Sequence, residues 1–203
     1  FMELDLEYKK GRCIIGNPPY GDRSNLAVSF YKHSILFSDY ISMILPIGQY
    51  NNSAKLYEFD LIYSEDLGEK LYSNIPIHCC FNIYRRPLSG SYNKKPNYKL
   101  EDVEIREDVT SKNPKRNKVV KYENFNYDIR ICFWGNATGK EVEYERQYAH
   151  EFAIKVNNQT YKQQIIDLIK NTKWKEIYPQ LATPALYQWQ VYKYLKEQIP
   201  ELK

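Results

Sequence analysis

Residues 13–21 read Cys-Ile-Ile-Gly-Asn-Pro-Pro-Tyr-Gly, an apolar strand that runs straight into the corner Asn17-Pro18-Pro19-Tyr20. Two successive prolines hold φ at about −65° and remove two backbone donors, so the corner is stiff and its carbonyls stay free to accept from elsewhere. The Asn17 side-chain oxygen and the Pro18 carbonyl can both accept from one NH₂ group, and Tyr20 offers a flat face beside them for stacking. That set suits an exocyclic amine on a planar ring. Such an amine is a weak nucleophile because its lone pair is delocalised into the ring. Two acceptors on its hydrogens push the nitrogen toward tetrahedral geometry, and an electrophile held in line about 3 Å away then needs positioning more than a strong base. A rigid turn closing a strand uses the same residues, so the tetrapeptide alone leaves turn and site both open.

The chain around the corner is patterned as alternating strands and helices. Residues 12–16 form the continuous apolar run of a buried parallel strand. Ser24 is placed to cap a helix whose Leu26, Phe30 and Phe37 fall near one stripe, and residues 41–45 form a strand stopped by Pro46. Strand, helix and strand of these lengths predict a βαβ unit, with ligands at the carboxyl ends of the strands. Residues 17–20 and 46–50 lie there, and Tyr50 is placed to line the same end. Residues 53–59 read as a short helix, residues 60–72 as irregular, and residues 77–84 as a strand ending in Tyr84-Arg85-Arg86-Pro87.

Residues 88–99, rich in Ser, Gly, Asn, Lys and Pro, read as a linker. Beyond it, residues 100–105, 118–122, 129–134, 141–144 and 152–156 alternate as hairpin strands do. A basic loop carries Lys112, Lys115, Arg116 and Lys118; a solvated turn and a phosphate contact are its two readings. Thr160 and Gln163 fit a capping box before Ile165, Ile166 and Ile169. Thr183 and Pro184 open a last helix bearing Tyr187, Val191, Tyr194 and Leu195, with the helices packing around Trp174 and Trp189. The expectation is an α/β region over residues 1–87 followed by an α+β region over residues 88–203.

Composition narrows the class. Among 203 residues, 43% are hydrophobic and 20 are tyrosine, ample for a packed core. The net charge of +4 is compatible with nucleic acid without demanding it. Cys13, Cys79, Cys80 and Cys132 sit in apolar runs without Cys-x-x-Cys spacing, and His33, His78 and His150 are scattered, so reduced core cysteines and no metal site are expected. With no long apolar run and no signal peptide, the reading is a soluble, cytoplasmic protein that engages no membrane.

Residues 13–21 resemble the catalytic strand and loop of the amino-group DNA methyltransferases, in the Asn-headed form associated with adenine N6. Residues 24–37 are similar to the helix after that loop, residues 40–48 to the next sheet strand ending in a proline, and residues 77–86 to the late strand that carries a second stacking aromatic. The resemblance covers residues 1–86 and implies a partial Rossmann-like methyltransferase sheet, a βαβ unit plus the late strand. It implies that Asn17 and Pro18 accept from the amine of a flipped adenine in double-stranded DNA, with Pro19 stiffening the corner. Tyr20 would stack on the base, and Tyr84, or Phe81, would close the slot. It implies S-adenosylmethionine as methyl donor, yet the glycine-rich turn that such a cofactor needs is absent. Residues 135–140 (Gly-Asn-Ala-Thr-Gly-Lys) have the wrong spacing both for that turn and for a phosphate loop. Residues 1–6 read like the stretch just after an acidic cofactor contact, so the chain reads as a fragment that needs a cofactor-binding segment or subunit. A protein-glutamine N5 methyltransferase fragment and a non-catalytic DNA-binding remnant are the alternatives, and no nuclease signature accompanies them.

Overall fold

The computed structural model describes residues 1–21, 24–109, 125–144, 147–178 and 185–203. They form a mixed α/β protein that divides into two compact units, Phe1–Asn97 and Tyr98–Lys203. Lys112, Lys115, Arg116 and Lys118 lie outside the described residues, as do the strand expected over 118–122 and the helix start at Thr183 and Pro184.

In the first unit, strand β1 (Cys13–Gly16), helix α1 (Asn25–Ser34) and strand β2 (Tyr40–Pro46) follow one another, and β1 and β2 pair in parallel, Cys13 opposite Tyr40 and Gly16 opposite Met43. Strands β3 (Asp60–Tyr72) and β4 (Ile75–Arg85) make a long antiparallel hairpin, and the sheet order is β1-β2-β4-β3. The antiparallel β2–β4 pairing sets Ile41 opposite Tyr84 and Leu45 opposite Cys80, which places these four on one face. There they pack with Ala27 and Tyr31 of α1, Ile35 just beyond it, and Leu56 and Phe59. Residues 88–97 belong to this unit: Asn93 donates its N–H to the Glu58 carbonyl and Tyr92 its hydroxyl to the Ile35 carbonyl.

Five local expectations change here. Residues 60–72 are a strand; the acidic residues Glu65, Asp66 and Glu69 and two bulges, between Leu61 and Tyr63 and between Asp66 and Gly68, break the alternation that would have marked it. Residues 53–59 make no helix, because the Asn52 side chain takes the Ala54 N–H and donates to the Gly48 carbonyl, offering the backbone a local alternative. The buried stripe of α1 is Ala27, Tyr31 and Ser34, one residue over from Leu26 and Phe30. Ser24 makes no capping bond and sits at φ 65; the Tyr20 carbonyl receives the Leu26 and Ala27 N–H groups instead. Cys13 is exposed because β1 is an edge strand.

In the second unit, strands β5 (Val103–Val109), β6 (Ile129–Cys132) and β7 (His150–Val156) form an antiparallel sheet in the order β5-β7-β6. Helices α2 (Lys162–Asn171), α3 (Trp174–Ile177) and α4 (Gln188–Gln198) bring Ile165, Ile169, Trp174, Val191 and Leu195 into one core with Ile105, Ile131 and Phe152. Trp174 packs edge to face with Tyr194 at 5.1 Å, and Trp189 lies 5.3 Å from Tyr98. Residues 141–144 contribute an isolated bridge, Glu141 to Ile131, and no strand. Thr160 does not cap α2, which begins from Tyr161 without a side-chain cap.

Candidate active site

The corner hangs from the carboxyl end of β1 and is tied to α1. Pro18 is buried, Pro19 and Asn17 are exposed, and Tyr20 is half-buried. The Tyr20 carbonyl accepts the Leu26 N–H at 3.2 Å, so the first turn of α1 fixes the backbone from which the Tyr20 ring projects. Gly21 follows at φ +67, and a Cβ there would lie 2.7 Å from Leu26 Cγ, so glycine alone allows this close return to the helix.

Three hydroxyl and amide groups meet at the corner. Asn17 Nδ2 donates to Tyr72 Oη at 3.3 Å, and the Tyr20 hydroxyl donates to Asn17 Oδ1 at 3.3 Å. The two tyrosine oxygens are also 3.3 Å apart. A phenol has one proton, so the Tyr20 hydroxyl donates in turn to Asn17 Oδ1 and to Tyr72 Oη, and the three groups form a ring of contacts. All three distances exceed the usual 2.7–2.8 Å of O–H···O bonds, or the roughly 2.9 Å of amide donors, so each is at the weak end of its class. Under the ring lies Cys79 of β4, its sulfur 3.4 Å from Tyr20 Oη. Burial pushes the Tyr20 hydroxyl well above its ordinary pKa, and its bonds with Cys79 and Tyr72 push the same way. Tyr20 is therefore a neutral donor and stacking surface, not a base.

Tyr84 is not at this site. It is 0% exposed, its ring packs edge to face on Tyr31 at 5.1 Å, and its oxygen accepts from Asn82 Nδ2 at 2.8 Å. Strand alternation turns it, with Cys80 and Asn82, toward α1, so it cannot wall an open slot. Phe81 points to the opposite face, the face of Cys79, and its ring meets Tyr63 at 6.3 Å. Tyr50 packs against the core of the first unit. The aromatic that does meet Tyr20 is Tyr72, edge to face at 5.9 Å, and sequence reasoning missed it because residues 60–72 did not read as a strand. The signal lay in Tyr72-Ser73-Asn74-Ile75, where Ser73 at φ 49 and Asn74 at φ 65 make a two-residue hairpin turn.

Among the described residues no group of three or more His, Cys, Asp or Glu is placed to hold a metal ion; His78 pairs with Asp66 at 2.6 Å. The glycines at the carboxyl ends of β1 and β2 are Gly16, Gly21 and Gly48, singly placed, and among the described residues β1 pairs with β2 alone. In the second unit a shallow groove of about 710 Å³, lined by Gln164, Asp167, Asn171 and Tyr194 among others, contains none of the site residues expected from sequence. No helix among the described residues is long and apolar enough to cross a membrane.

Fold and site together define a mixed α/β protein with a stiff polar corner at the carboxyl end of a parallel strand. Compared with protein-family models, characterised proteins and solved structures, the chain matches none.

Proposed function

We propose that the first unit is the amine-receiving part of a DNA adenine-N6 methyltransferase, in a partial Rossmann-like sheet, acting on a flipped adenine in double-stranded DNA. One observation carries this reading. The Asn17 amide stands exposed at the carboxyl end of β1, bonded to two tyrosine hydroxyls and not to the backbone of its own turn. A purely structural Asn-Pro-Pro corner would spend that amide on its own chain. Two further features support it. The β1-α1-β2 unit pairs in parallel, which puts the corner where open α/β sheets bind ligands, and β4 joins it as an antiparallel late strand. Among the described residues no strand pairs with the outer edge of β1, and Ile15 of β1 is 79% exposed, which suits a cofactor-binding segment or subunit adding alongside.

In this function Asn17 Oδ1 and the Pro18 carbonyl accept from the adenine amine and Tyr20 stacks on the ring. The methyl donor would be held by the added segment, so this chain's part is to bind, orient and polarise the amine. The reading is tested with an oligonucleotide duplex bearing an adenine opposite an abasic site, where extrusion costs least. Binding should fall between about 50 and about 200 mM salt, as phosphate contacts require. Asn17→Ala should weaken it about five- to tenfold at constant salt, the loss expected for acceptors of one amine. Absence of binding at the lower salt, or affinity indifferent to Asn17→Ala, rejects the reading; capture of a glutamine-bearing peptide instead points to protein N5 chemistry.

A further inference from the structure

We propose that Tyr72 is a gate on the corner: the tip of the β3–β4 hairpin must lift it off Asn17 and Tyr20 before an amine is received. The inference rests on the amine-receiving reading of the corner. Tyr72 Oη accepts from Asn17 Nδ2 at 3.3 Å, and it also accepts from the Tyr20 hydroxyl, which lies 3.3 Å from Asn17 Oδ1 at the other end of the amide. Tyr72 thus holds the Asn17 amide and the Tyr20 hydroxyl together, with that hydroxyl beside the acceptor meant for an incoming NH₂. The rings of Tyr20 and Tyr72 touch edge to face at 5.9 Å and an interplanar angle of 65°, so no planar group fits between them in this conformation.

The hairpin is built to move at this end. Tyr72 is the last residue of a 13-residue strand, adjoining the Ser73-Asn74 turn. Leu71 before it on β3 and Ile75 opposite it on β4 are unsupported, 74% and 62% exposed. The bulge between Asp66 and Gly68, with Gly68 at φ +68, interrupts the β3–β4 ladder below the tip. Residues beyond it can swing while Leu61, opposite Tyr84 at the base of the hairpin, stays in place. The long hydroxyl distances set the holding force low. A closed state of this kind acts as a tax on binding, lowering apparent affinity by the fraction of molecules that are open.

Cys79 reports the motion. It is 0% exposed, with Sγ 3.4 Å from Tyr20 Oη and 4.0 Å from Tyr72 Oη, while Cys80 beside it faces the α1 core and its thiol is pushed up to about 12 by burial. In the full-length chain, iodoacetamide labelling of Cys79 is followed by peptide mapping, with Cys80 as internal control for global unfolding. Tyr72→Phe should accelerate Cys79 labelling about three- to tenfold with Cys80 unchanged, the range expected for losing neutral hydroxyl bonds. Asn17→Ala, which removes the contact from the other side, should do the same. Tyr72→Phe should also tighten binding of a single-stranded oligonucleotide containing 2-aminopurine by a similar factor. Unchanged Cys79 labelling in both variants, labelling that rises equally at Cys80, or weaker oligonucleotide binding by Tyr72→Phe overturns the gate. Faster Cys79 labelling with no oligonucleotide bound by wild type or variant overturns the amine-receiving reading instead, and with it any role of the gate in amine binding.

Discussion

Gly21 and Tyr20 divide the work of the corner between backbone and side chain. The Tyr20 carbonyl is held by Leu26 and Ala27 N–H groups, and the chain can turn toward the helix because Gly21 takes φ +67 beside Leu26. Gly21→Ala meets two penalties at once, a left-handed backbone for an L residue and a Cβ 2.7 Å from Leu26 Cγ. It should destabilise the protein by about 1–3 kcal/mol, read as a lower urea midpoint with unchanged slope. Because Tyr20 precedes it, the same variant should weaken whatever Tyr20 stacks on. A variant as stable as wild type would show that the corner does not depend on this turn. Tyr20 itself, with its hydroxyl pushed upward by burial and by Cys79 and Tyr72, stays protonated across the neutral range, which agrees with a chemistry that polarises an amine without a strong base.

At the scale of elements, the sheet is held to α1 by one aromatic group. Tyr31 is buried, its ring contacts Tyr84 at 5.1 Å and Phe59 at 6.3 Å, and its oxygen accepts the Phe59 N–H at 2.8 Å. Tyr31→Phe keeps the rings and strands a buried backbone donor, so it should cost about 1–3 kcal/mol in urea unfolding, more than the same change at an exposed tyrosine. A loss below about 0.5 kcal/mol would mean that water reaches the Phe59 N–H. The elements were legible in proportion to their apolar continuity. β1, β2 and β4 are mostly apolar, interrupted between residues 13–15, 41–45 and 77–84 only by Ser42, His78 and Asn82, and their strands stood out. The strand β3 was hidden by its charges and bulges, and with it Tyr72. Tyr84 was misassigned for a related reason: an aromatic at a strand end looks the same whether it faces solvent or a helix. Only the register, Ile41 opposite Tyr84, shows that it faces α1. The stripe of α1 slipped by one residue because Leu26 and Phe30 are larger than Ala27 and Ser34, yet burial follows the side that faces the sheet.

At the scale of the molecule, each unit has its own core and its own carboxylate anchor, and these set its response to acid. In the first unit Asp39 accepts the Gly11 N–H at 2.7 Å, the Tyr8 hydroxyl at 2.9 Å and Arg86 Nε at 3.1 Å, tying the N-terminal segment to the α1–β2 junction. Arg86 in turn donates to the Ile35 and Ser38 carbonyls and lies over the rings of Tyr8, Phe59 and Tyr92. The Gly11 N–H first, then Tyr8 and Arg86, hold the Asp39 carboxyl below the usual aspartate range against the opposing effect of burial. In the second unit burial works against Asp128, but Lys162 at 2.6 Å and the Val156 N–H outweigh it and hold that carboxyl low as well. A carboxyl whose folded pKa lies below its unfolded value, about 3.9, stabilises the fold fully above that value and loses the contribution as pH falls through the folded one. All three tryptophans, Trp134, Trp174 and Trp189, lie in the second unit, so tryptophan fluorescence follows that unit while far-UV circular dichroism follows both. Asp39→Asn should lower stability at neutral pH by about 1–2 kcal/mol, since its bonds are partly open to solvent, and should flatten the acid dependence of the dichroism signal below about pH 4. It should leave the acid midpoint seen by tryptophan fluorescence in place, because separate cores unfold as separate cooperative units. A fluorescence midpoint that moves with the dichroism would show that the two cores unfold as one.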